Sequence, residues 1–198
     1  MAVPAKAALS LLRAGNERFV SGPGQLDAGA GSAEQSPIAV VLGCSDSRVP
    51  VETVFDLGVG NLFVVRVAGN IAGPTQIGSI EFAVQQFGTP LVVVLGHTRC
   101  GAVAAAMDDL LGSTGERSAN LQAVVDAIRP SVEASMGDPD DHPDRRLEKA
   151  VRENVRATVD GVLRGSELLR QRAGRGELVV VGAEYSLETG VVEFLTEA

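Results

Sequence analysis

With 198 residues, 45% hydrophobic and 21% charged, the chain has the length of one domain around one sizeable core, and its composition excludes intrinsic disorder. Asp and Glu outnumber Lys and Arg by 25 to 17; the net charge of −8 repels phosphate backbones and argues against nucleic acid as a partner. No apolar run approaches the roughly 20 residues that cross a bilayer, which argues against a membrane partner.

The segment from Met1 to Val20 is interrupted by Lys6, Arg13, Glu17 and Arg18 and lacks the apolar centre of a signal peptide. It reads as an amphipathic helix with Leu11, Leu12, Phe19 and Val20 near one face, the start of a helical arm over about residues 1–34, and the expected location is the cytoplasm. Four Val-rich runs then predict strands buried on both faces of a parallel sheet: Ile38–Leu42, Leu62–Val67, Leu91–Leu95 and Leu178–Val181. Between them, Pro74 introduces a helix over Thr75–Phe87, and Ala-rich Ala102–Leu111 stops at Gly112. The acidic stretch Gly137–Asp144 reads as a surface loop between helices. Leu147, Val151, Val155, Val159 and Leu163 recur every four residues and predict a helix over Leu147–Leu169, weakened by Gly161 and Gly165. Val191–Leu195 adds a short edge strand after the Glu188-Thr189-Gly190 turn. The alternation gives an α/β fold, a mostly parallel central sheet flanked by helices, in a single domain over residues 1–198.

The chain has two cysteines, and a reducing compartment argues against joining them. Cys44 follows the first strand in Gly43-Cys44-Ser45-Asp46-Ser47-Arg48; His97 and Cys100 follow the third in Gly96-His97-Thr98-Arg99-Cys100-Gly101. Loops at the carboxyl ends of parallel strands open on one edge, so neighbouring strands would bring the three together. Two thiolates and one imidazole suit zinc and leave a fourth position for water or substrate. Cys100 also heads a predicted helix, whose N-terminal dipole favours a thiolate. The plain alternative for either cysteine is an inert buried thiol. Asp46 and Arg48, two residues apart, are placed to pair. A solvated surface pair is the ordinary reading; the sharper one has Arg48 holding Asp46 away from the metal or releasing it to become the fourth ligand.

Cys44-Ser45-Asp46-Ser47-Arg48, Phe63-Val64-Val65-Arg66-Val67-Ala68-Gly69-Asn70 and Gly96-His97-Thr98-Arg99-Cys100-Gly101 together resemble the β-class carbonic anhydrase family. The likeness extends to Gly15-Asn16-Glu17-Arg18-Phe19 and Val181-Gly182-Ala183-Glu184-Tyr185, and the two metal motifs lie 53 residues apart from Cys44 to His97. The resemblance implies zinc held by Cys44, His97 and Cys100, and hydration of carbon dioxide to bicarbonate and a proton by zinc-bound hydroxide. Asp46 would accept a hydrogen bond from that hydroxide, with Arg48 as its dyad partner. It implies a substrate pocket at a dimer interface, with Gln35 donating to a substrate oxygen and Phe63, Ala68 and Phe82 as apolar walls. Gly101 would offer a backbone amide, and the expected assembly is a homodimer or homotetramer. A loop role is the plain alternative for Gln35 and a core role for Phe63, Ala68 and Phe82, the core role accounting equally well for Phe63 and Ala68.

One departure stands out. The Trp–Arg–Tyr set that binds inhibitory bicarbonate in some members corresponds here to Val41, Arg66 and Phe82, and the chain has no Trp, so that site is expected to be absent. The open arrangement, with Arg48 holding Asp46, is expected instead. Two thiolates cancel the charge of zinc, so its bound water should be less acidic than at a three-histidine site, and activity should rise on the alkaline side. His142, the other histidine, sits in the acidic loop and reads as solvated. Two alternatives stay open: a carbonyl sulfide or carbon disulfide hydrolase on the same scaffold, and a non-catalytic zinc protein closed by Asp46. Gly58-Val59-Gly60 precedes a strand rather than following one and gives nucleotide binding little support.

Overall fold

The computed structural model describes residues 3–21, 35–112, 115–137 and 142–195. Five strands, β1 (Ala39–Gly43), β2 (Leu62–Arg66), β3 (Leu91–His97), β4 (Val179–Tyr185) and β5 (Val192–Phe194), form one sheet in the order β2-β1-β3-β4-β5. The first four run parallel, and β5 closes one edge antiparallel to β4. Every residue of β1 and β3 is buried, which is why their sequences are continuously apolar; β2, at the other edge, is only half-buried.

Alternate strand residues serve opposite faces. Val41, Val93, Leu95 and Val181 pack with Leu9 and Leu12 of α1 (Ala5–Ser21), with Val51 and Val54 of α2 (Val51–Val54), and with Phe55. Val40, Leu42, Val92 and Val94 face Ile80, Ala83 and Val84 of α3 (Pro74–Phe87) and Val155, Val159 and Val162 of α6 (Pro143–Gly165). A third cluster lies beyond the strand ends. There Cys44 and Cys100 are buried with Val103, Ala106 and Met107 of α4 (Gly101–Leu110), Val125, Ile128 and Val132 of α5 (Ala119–Ser135), and Ala150 and Val151 of α6.

The N-terminal helix ends at Ser21; the rest of the expected arm, residues 22–34, lies outside the described residues. Buried Asn16 anchors α1, donating to the carbonyls of Val54 and Gly190 at 3.0 and 2.8 Å and accepting from the Val192 amide at 2.8 Å.

The helical elements add to or refine the sequence reading at three places. Helix α5 is absent from the elements read from the sequence; Ser118 caps its start by accepting from the Leu121 amide, and the helix continues through Pro130. The acidic loop is shorter than Gly137–Asp144, because Pro143 and Asp144 form the first turn of α6 with His142 as its cap, while residues 138–141 lie outside the described residues. The helix expected over Leu147–Leu169 starts earlier and breaks after Gly165; Ser166 then caps α7 (Glu167–Gly174), accepting from the Leu169 amide at 3.2 Å.

Candidate metal centre

Parallel pairing of β1 with β3 sets Gly43 opposite Leu95, so the residues that follow each strand emerge side by side. Cys44 continues directly from β1, and His97 is the last residue of β3. Thr98 and Arg99 turn the chain, with Arg99 in the left-handed region at φ 56, and Cys100 becomes the N-cap residue of α4. The topology therefore brings Cys44 to two residues more than fifty positions further along the chain. Their ligand atoms lie within 4.8 Å of one another, and all three side chains are buried.

Each donor is prepared by its neighbours. The two sulfurs stand 3.9 Å apart. A thiol proton donated by Cys100 stabilises a thiolate on Cys44 and holds it down to about 4, with the Gly69 amide acting in the same direction. The same bond, followed by burial, pushes Cys100 far up, so the pair keeps one proton between its sulfurs. A dication displaces such a proton, because it satisfies both sulfurs at once.

His97 is fully buried. Its Nδ1 lies 3.0 Å from the Thr98 carbonyl, an acceptor only, so Nδ1 carries the proton and Nε2 presents a lone pair. Among the described residues, that Nε2 has no hydrogen-bond partner. A buried ring nitrogen without a partner beside two sulfurs is costly in a protein that binds nothing there, and is satisfied by a metal. The donor set, two sulfurs and one imidazole, suits a borderline-soft dication.

Asp46 lies at the margin of the cluster, its Oδ2 3.8 Å from His97 Nε2. The Arg48 guanidinium, then its backbone amide, hold the Asp46 carboxyl well below the usual carboxylate range. Asp46 is therefore ionised wherever the protein is folded near neutrality.

Two contributors escaped the sequence analysis. The Gly69 amide donates to Cys44 Sγ at 3.4 Å; Gly69 belongs to a 3-10 turn (Ala68–Asn70) and has φ 72, a conformation its position in Val67-Ala68-Gly69-Asn70 signals only faintly. Arg66, at the end of β2, donates from Nε to the Cys44 carbonyl at 2.9 Å and from Nη2 to the Asp46 carbonyl at 2.5 Å. It braces the backbone of the Cys44–Arg48 loop.

The expected pocket residues are less gathered within one chain. Gln35 is exposed in the segment that leads into β1. Ala68 is half-buried beside Gly69, and Gly101 is exposed in the first turn of α4. Phe63 and Phe82 lie 6.1 Å apart, centroid to centroid, and Phe87 completes a trio at 6.2 and 5.7 Å. Phe82 is 53% exposed in the single chain, while Phe63 and Phe87 are half-buried against the core. Val41 is fully buried in β1.

The family described as Carbonic anhydrase matches residues 39–192, a span that includes all three candidate ligands, Asp46 and Arg48. Carbonic anhydrase 2 of Mycobacterium tuberculosis is 40% identical over 190 residues, covering 93% of this chain and 89% of its own length. The carbonic anhydrase of Mycolicibacterium smegmatis is 37% identical over 198 residues, covering 94% and 91%. Among solved structures, a tetrameric β-carbonic anhydrase of Sordaria macrospora superposes with a TM-score of 0.73 at 25% identity, covering 91% of this chain and 85% of that one. A β-carbonic anhydrase of Aspergillus fumigatus gives 0.72 at 28%, covering 83% and 78%. Matched in family over most of its length, in sheet architecture and in its cysteine–histidine–cysteine cluster, the chain belongs to the β-class carbonic anhydrases.

Proposed function

We propose that the protein catalyses the reversible hydration of carbon dioxide to bicarbonate and a proton, with zinc held by Cys44, His97 and Cys100. The observation that carries this reading is the buried trio of donor atoms, within 4.8 Å of one another, whose histidine nitrogen has no other partner. Zinc bound there supplies a Lewis acid that makes water nucleophilic near neutral pH.

The chain's own residues do the rest. Cys44 and Cys100 bind as thiolates, the first favoured by the Gly69 amide and the second by the positive end of α4. The Thr98 carbonyl fixes the His97 ring and its tautomer. Asp46 accepts a hydrogen bond from the attacking oxygen and so orients its lone pair toward the substrate carbon. Because Arg48 holds Asp46 far below the ordinary carboxylate range, Asp46 does not retain a proton at neutral pH. The proton released in each turnover therefore passes to solvent buffer. Arg48 also supports catalysis over a purely structural site, since it occupies both oxygens of the carboxylate that would otherwise close the coordination shell.

A homo-oligomer is part of this proposal. It is supported by the exposed Phe82 in its aromatic trio and by the tetrameric state named for the Sordaria macrospora relatives. Stopped-flow assays with carbon dioxide, carbonyl sulfide and carbon disulfide supplied separately test the substrate. Saturable, zinc-dependent turnover of carbon dioxide above the other two is expected; turnover of only a sulfur-containing gas would replace the proposal with the hydrolase reading.

A further inference from the structure

One turn of α6 reaches both halves of the metal centre. Asn154, 2% exposed, donates from its carboxamide Nδ2 to the Gly69 carbonyl at 2.8 Å. The amide of that same Gly69 donates to Cys44 Sγ. The turn is tightly constrained: Gly69 and Asn70 both have positive φ, 72 and 46, and a β-carbon on Gly69 would lie 2.5 Å from Ile128 Cδ1. Consecutive left-handed residues, one of them not glycine, persist only where their surroundings hold them. On either side of Asn154, Val151 and Val155 close on Gly96, the residue before His97. A β-carbon at Gly96 would lie 2.5 Å from Val155 Cγ2 and 3.6 Å from Val151 Cγ1.

We propose that Asn154 is a positioning residue for the metal centre: its carboxamide tethers the Gly69 carbonyl and so keeps the Gly69 amide aimed at Cys44 Sγ. The neighbouring Val155 seats the Gly96–His97 backbone against the same helix, so α6 sets the spacing between the Cys44 loop and the His97 loop. The chemistry requires a donor at residue 154. Leucine would leave the buried Gly69 carbonyl unpaired, and a carboxylate would set oxygen against oxygen. This inference rests on the zinc reading above. Second-layer partners of this kind typically change metal affinity about 10–100-fold.

The test compares Asn154→Asp and Asn154→Leu with Val162→Ala, a buried truncation about two turns farther along the same helix. Zinc affinity is measured by competition with a chromophoric chelator, and the sulfur-to-metal charge-transfer band is recorded with cobalt. Both Asn154 variants should bind zinc about 10–100-fold more weakly and shift the band, while Val162→Ala stays within about twofold of wild type. Asn154 variants matching wild type in affinity and spectrum would overturn the tether. A wild type that binds no metal would instead defeat the zinc reading. Should the variants not fold, wild-type protein loaded with an NMR-active cadmium isotope decides the matter. The Gly69 amide proton should couple to the metal and the Asn154 carboxamide protons should resist solvent exchange; absence of either signature overturns the inference.

Discussion

Arg48 grips Asp46 at three points: its backbone amide and Nε both donate to Oδ1 at 2.9 Å, and Nη2 donates to Oδ2 at 2.7 Å. This fork fixes a carboxylate that stands 3.8 Å from the free nitrogen of His97. Asp46→Asn should keep its metal and lose catalysis on the order of 100-fold or more, since the oriented acceptor is gone. Arg48→Ala should also keep its metal and lose activity, because the released carboxylate turns toward the ion. Metal analysis alongside kcat/KM checks both, and full activity in Arg48→Ala would show that Asp46 needs no holding.

Arg66 acts on the backbone of the same loop, through the carbonyls of Cys44 and Asp46. Arg66→Leu should leave the sheet intact and lower kcat/KM by about 10- to 100-fold, the scale of a misplacement near 1 Å. The comparison with Arg66→Lys is informative, since lysine's single ammonium lacks the fork that spans two carbonyls.

The pH dependence of activity follows from the charge of the ligands. With zinc bound as proposed, two thiolates would neutralise it and leave its water less acidic than at a site of neutral histidines, so the rate should climb through the alkaline side of neutrality. Asp46, held far below the carboxylate range, stays ionised throughout and contributes no inflection there. A stopped-flow profile already level below neutral pH would contradict this.

Stability carries a second pH signature. Burial pushes the Glu184 carboxyl above its ordinary value against the pull of Arg152, whose Nε lies 2.9 Å away. A carboxyl raised in the folded state stabilises the fold fully below its unfolded value, and that contribution is lost as pH rises through the folded value. Glu184→Gln removes the loss, while Arg152 keeps Glu193 at 2.6 Å. The variant should therefore gain stability relative to wild type as pH rises above the ordinary glutamate range, read from urea midpoints. Parallel pH dependence in the two proteins would refute the assignment.

The sheet was legible because β1 and β3 are buried on both faces and their sequences hide nothing. The metal trio was legible because parallel topology carries the ends of adjacent strands to one edge. Helix α5 was not, since Pro130 contradicts the local rule that its packing against α4 and α6 overrides. Arg66 and Asn154 were hidden for a different reason: each acts on backbone carbonyls of remote segments, and backbone geometry leaves little trace in side-chain pattern. Phe63 and Phe82, expected as apolar walls of a substrate pocket, meet at 6.1 Å, and Phe82 stays exposed in the single chain.

Zinc-edge X-ray absorption on the purified, metal-quantified protein tests the proposed centre most directly. The expected spectrum, from about one zinc per chain, has two sulfurs at about 2.3 Å and one imidazole nitrogen at about 2.0 Å with a light atom completing the shell, and Cys44→Ser loses a sulfur or the metal. Protein that stays free of zinc after zinc-replete expression, or a shell without two sulfurs, would contradict it.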